Sequence, residues 1–152
     1  MAFIEHLAQA ISIVFAALTF GVFWGPWIAL TRSMSTLSPD TFLAVVHRLD
    51  TNLAGLMTVL FPVTLLSIVA VGTLSVGQPA FYGAAVALAA FGVALLVTLT
   101  VEVPIVARIR TWSASTMPGN WKAQRDRWVS FHLARVIPGV LGLAALVVGS
   151  IA

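Results

Sequence analysis

Four long apolar runs dominate this sequence, at about Leu7–Leu30, Leu53–Val71, Phe81–Val101 and Val129–Ala152. About 20 apolar residues are what a helix needs to cross the hydrocarbon core of a bilayer. Lipid offers the backbone no hydrogen bonds, so each run must satisfy its own, and these lengths suit helices rather than barrel strands. Only 9% of the 152 residues are charged, against about 25% in an ordinary soluble domain. The expected fold is therefore all-α: a single domain over residues 1–152, built as an up-down bundle of four transmembrane helices. Met1–His6 has no basic residue, so the first run does not read as a signal peptide.

Charge placement sets the expected topology. Arg32 and Arg48 flank the first connection, and Arg108, Arg110, Lys122, Arg125 and Arg127 flank the third. Arg135 lies just inside the fourth run, and the two ends and the second connection carry no Lys or Arg. By the positive-inside rule the first and third connections face the cytoplasm, with both termini on the non-cytoplasmic side. The high pI, about 10.7, thus reads as membrane topology rather than as a nucleic-acid interface. The expectation is a multi-pass integral protein of the cell (inner) membrane, partnered by the lipid bilayer and by no nucleic acid. With no cysteine in the chain, disulfides and thiolate metal sites are excluded.

Local signals extend the helices beyond the apolar runs. Ser38-Pro39-Asp40 combines an N-cap, a first-turn proline and an early acid, so the second helix is expected to start near Pro39. The stretch TMPGNW reads as a turn with Asn120 capping the fourth helix, and the third is expected to continue to about Thr111. Pro26, Pro62, Pro104 and Pro138 place one proline in or near each span. In a membrane bundle these read as tolerated kinks.

The polar chemistry concentrates in GNWKAQRDRWVSFHLAR, residues 119–135. Along a helix, Trp121, Arg125, Trp128, His132, Arg135, Gly139 and Gly142 are spaced alternately by four and three, which puts them on one face. Arg and His facing lipid are costly, so this face is expected to look into the bundle or a watery cavity. Trp121 and Arg125 also fit a snorkelling interface. His132 and Arg135 lie too deep for that, about 17 and 21 Å along the helix from Trp121 at 1.5 Å per residue. The two glycines leave room for another helix to approach.

Equal distances from a turn at Pro118-Gly119 bring Glu102 level with Arg135, an acid and a base that invite an ion pair whether for structure or for chemistry. Folding back about residues 35–36 likewise brings Trp24 level with His47. The candidate site is therefore His132, Arg135 and Glu102 for catalysis, and Trp24, His47 and Trp128 for substrate binding.

The segment VEVPIVARI, followed after a gap by W…RDRWVSFHLAR, resembles the anthrone oxygenase-like family of small four-helix membrane proteins. Pro104, Trp121, Trp128, His132 and Arg135 fall on that family's motif positions. Where the family has an Asn after the proline this chain has Val106, and Glu102 precedes the proline instead. The resemblance implies oxidation of an anthrone-like aromatic substrate by dioxygen, without metal or flavin. An anthrone C–H is acidic because its carbonyl and rings delocalise the anion. His132, with an ordinary pKa near 6.5, is the expected base. Arg135 is expected to stabilise the anionic oxygen, Glu102 to orient Arg135 or relay a proton, and Trp24 and Trp128 to stack on a flat substrate.

Two other classes stay open. His47 and His132 on different helices are candidate axial ligands for haem b. Small-residue faces such as AAVALAAFG suit a non-enzymatic subunit docked against other membrane proteins. Phosphate loops, nucleotide fingerprints and the GxSxG and HExxH motifs are absent, and three scattered His do not argue a metal site.

Overall fold

The computed structural model describes residues 2–152, apart from the side chain of Thr31. All regular structure in them is helical: α1 (Ala2–Ala29), a 3₁₀ segment (Thr31–Thr36), α2 (Pro39–Leu74), α3 (Pro79–Val97), a π-helical turn (Thr98–Glu102), α4 (Val103–Ile109) and α5 (Trp121–Ile151). The π turn joins α3 and α4 into one continuous span, giving four helices long and apolar enough to cross a membrane. Their outward faces carry exposed Leu66, Leu96 and Val148, a pattern that costs free energy in water and none in lipid.

The helix ends follow the sequence signals with two differences. Ser38 caps α2, its Oγ accepting from the Thr41 N–H, with Pro39 in the first turn. Asn120 occupies the N-cap position of α5, yet its side chain makes no capping bond. The third span ends at Ile109, two residues short of the expected Thr111. Pro26, Pro62 and Pro138 sit inside helices. Pro104 has a clearer consequence: it has no N–H to give the Thr100 carbonyl, and the turn before it widens. The Val103 N–H bonds to the Thr98 carbonyl, five residues back. Such wide turns are how a helix absorbs a local break in its hydrogen-bond ladder.

The most extensive helix pairing is α3 with α5, and it depends on glycine. A Cβ on Gly83 would lie 2.5 Å from the Ala145 carbonyl oxygen and 3.0 Å from Gly149 Cα. Gly139 and Gly142 leave room for neighbouring helices: Phe20 and Phe23 of α1 lie against the first, and Phe91 and Ala90 of α3 against the second. Between α1 and α2, the buried hydroxyls of Thr19 and Thr64 bond at 2.7 Å.

The interior falls into two clusters. One centres on Phe23, Phe61, Ile68, Phe91 and Val136. The other packs Met34, Phe42, Val46, Ile105, Ile109 and Trp128 near the first and third connections, with Trp121 and Trp112 against it. Arg125 is buried there beside the Trp121 ring and pairs with Asp126, on the inward face rather than snorkelling to water.

Candidate functional site

The inward face of α5 is the one its spacing predicted: Arg125, Trp128, His132, Gly139 and Gly142 are all buried. Two of its polar residues meet the π turn. Arg135 donates from Nη2 to Glu102 Oε2 at 3.2 Å and from Nη1 to Thr98 Oγ1 at 3.3 Å. Its Nη2 also donates to His132 Nδ1 at 2.6 Å. The guanidinium lies over the Phe23 ring, 5.1 Å from its centre, a favourable cation–π placement.

These bonds fix the state of His132. Arg carries only donors, so Nδ1 must accept. The proton is thereby assigned to Nε2, which donates to the Phe23 carbonyl oxygen at 3.0 Å. Both ring nitrogens are occupied. The Nδ1 lone pair that a base would use is taken up by Arg135 in this arrangement.

Glu102 is the group left with spare capacity. Its side chain is 5% exposed, its Oε2 serves Arg135, and its Oε1 has no hydrogen-bond partner. On the other side of the pair, Arg135 Nε is also buried and unpartnered. A buried acceptor and a buried donor without partners cost free energy that the fold must supply elsewhere.

Glu102, His132, Arg135 and Trp128 line a cavity of about 510 Å³ between α1, α2, the third span and α5. Its walls are otherwise mostly apolar, with Phe23, Met57, Phe61, Leu95 and Val106 among them. Pro26 and Pro62 also line it. Each removes the N–H that would serve the carbonyl four residues earlier, and those residues, Val22 and Thr58, line the same cavity. Trp128 is buried with its ring 5.7 Å from that of His132.

Asp50 and Arg110 mark a second polar place in the wall. Arg110 binds the carboxylate through two bonds, Nε to Oδ2 at 2.5 Å and Nη2 to Oδ1 at 2.6 Å. That pairing raises the Arg110 pKa above its ordinary value, the hydrogen bond to Asp50 being the largest cause.

Four of the six residues proposed from sequence therefore come together: Glu102, His132, Arg135 and Trp128. Trp24 and His47 do not line the cavity. Trp24 is 39% exposed and packs beside Phe20 and Trp27, while His47 Nε2 sits 3.4 Å from the Ile109 carbonyl oxygen. Among the described residues no group of three or more His, Cys, Asp or Glu is placed to hold a metal ion. Phe23, Thr98, Asp50 and Arg110 are site residues that sequence reasoning missed. Only Thr98 had a signal, lying one helical turn before Glu102 on the same helix face.

No family model, curated protein or solved structure matches this chain.

Proposed function

We propose that this is a cell-membrane oxidoreductase of the anthrone oxygenase-like kind. In this reading four spans run up and down through the bilayer, with both termini on the non-cytoplasmic side. The protein takes a flat, apolar ring ketone into its cavity and oxidises it with dioxygen. One observation carries the reading. A buried carboxylate with an unpartnered oxygen sits in an apolar cavity, beside a guanidinium that is itself held by His132 and Thr98. The resemblance over residues 101–135 supplies the reaction class.

Glu102 is the proton acceptor in this scheme. It takes a proton from the ring carbon opposite the carbonyl, and the electron pair delocalises onto the carbonyl oxygen. Arg135 stabilises that oxygen as charge builds on it, which a fixed cation does well where water is excluded. The carbanion adds to dioxygen, and the peroxide takes the proton back from Glu102. Loss of the second C–H proton with hydroxide, as water, leaves the second carbonyl. The sum is ketone plus dioxygen giving diketone plus water. His132 is a positioning residue that holds Arg135 from one side.

The test is anthrone oxidation by purified protein in nanodiscs, followed by oxygen uptake and quinone absorbance. Glu102→Gln is expected to lower the rate by about 10²–10⁴, the usual worth of a general base. Wild-type protein no faster than Glu102→Gln or empty nanodiscs would sink the proposal.

A further inference from the structure

The cavity has a mouth, and its position says where a ligand comes from. Among the described residues of the connections at 30–38, 75–78 and 110–120, only Arg110, immediately after the third span, lines it. Ala54 and Thr58 of α2, with Leu99 in the π turn and Val103 and Ala107 of α4, line it and are also exposed. All five lie within helices long and apolar enough to span a membrane; Arg110, just past the third span, also lines it and is exposed, held there by Asp50. The opening therefore lies on the side of the bundle, between α2 and the third span. Asp50 and Arg110 clasp these same two elements nearer the connections. They lie about 12 Å from Glu102 along the third span, at eight residues and 1.5 Å each.

We infer that the ligand enters sideways from the bilayer, between Ala54 and Ala107, and anchors a single hydroxyl or enol at Glu102 and Arg135. This rests on the site reading proposed above and adds the route and the ligand class: the enol tautomer of the ring ketone presents the O–H, and its loss to Glu102 gives the same delocalised anion as loss of the ring C–H proton. The apolar wall favours a ring system dissolved in lipid. A cavity of about 510 Å³ is within the usual range for drug-sized ligands, about 300–1,000 Å³. At the inner end Glu102 Oε1 lacks a donor and Arg135 Nε lacks an acceptor. Both atoms are shielded from solvent as they stand; when the two side chains turn toward the cavity they line, one O–H group can serve both, donating its hydrogen to the carboxylate and accepting from the guanidinium on its oxygen. A hydrocarbon or an acyl chain supplies neither.

The chain has no cysteine, so a reversible clamp can be built. Ala54→Cys and Ala107→Cys are combined and bridged with bis-methanethiosulfonates of graded length, in phosphatidylcholine nanodiscs. Uptake of 1-naphthol is followed by its fluorescence, with naphthalene as the comparator. Each single-cysteine variant, capped with a monofunctional reagent, controls for bulk.

Wild-type protein is expected to bind 1-naphthol about tenfold or more tighter than naphthalene, the worth of a hydrogen bond to a charged group. Bridging is expected to slow 1-naphthol uptake at least about tenfold, as when entry must await an opening motion, and reductant to restore it. Unchanged uptake across the bridge would overturn sideways entry and leave the site reading standing. Equal binding of naphthol and naphthalene, or no binding of either, would overturn the anchoring at Glu102; anthrone turnover by wild type against Glu102→Gln decides the site reading separately.

Discussion

Arg135 donates to His132 Nδ1 across 2.6 Å, and this contact separates two histidine roles that sequence could not. A histidine with a free lone pair is a base; one whose lone pair is already taken by a guanidinium is a strut. His132→Gln keeps a side-chain acceptor and a donor, so it should retain folding and measurable anthrone turnover with an unshifted pH profile. His132→Ala keeps neither, leaves buried partners unsatisfied, and should destabilise the detergent-solubilised protein by about 1–3 kcal/mol. If His132→Gln is as inactive as Glu102→Gln while equally well folded, His132 carries the proton after all.

The Glu102–Arg135 pair invites a double-mutant cycle. Glu102→Gln and Arg135→Met should each cost about 3–5 kcal/mol, because each strands a buried charge, and the double variant should recover part of that loss. Thermal unfolding in one detergent measures all four proteins. Additive losses would show that the two groups are not energetically coupled, despite their 3.2 Å contact.

Gly83 and Gly55 make a matched pair. A Cβ on Gly83 meets backbone of α5 at 2.5 Å, and backbone cannot rotate away. Gly83→Ala should therefore destabilise by about 1–3 kcal/mol, as overpacking does. Nothing lies within 4 Å of a Cβ on Gly55. Gly55→Ala should be neutral or stabilising by up to about 1 kcal/mol, since it only adds helix propensity. Similar effects at both sites would contradict the close α3–α5 approach.

Topology can be read with the same cysteine-free background. Ala2→Cys and Gly119→Cys, each alone, should react with a membrane-impermeant maleimide from opposite faces of oriented vesicles. Labelling of both from one face would defeat the proposed arrangement of spans.

Much of this fold was legible because lipid simplifies the problem. A backbone that must satisfy itself turns each long apolar run into a helix, so four runs gave four helices long and apolar enough to cross a membrane. The cap at Ser38 followed from local chemistry. So did the face carrying Trp128 and His132, which repeats with helical period. The Glu102–Arg135 contact was within reach because the turn between their helices fixes the register of both. Other features needed the tertiary structure. Asp50 and Arg110 lie on elements joined by the short turn at 75–78, yet folding back about that turn sets Asp50 level with Val103 rather than Arg110, so counting along the chain does not align them. Trp24 had the right residue type and approximate depth, but depth says nothing about which way a helix is rotated, and α1 turns it away from the cavity. His132 was identified as a site residue by its period. Only the tertiary structure placed the Phe23 carbonyl on one of its nitrogens and Arg135 on the other, because hydrogen bonding, not residue type, determines which lone pairs remain available.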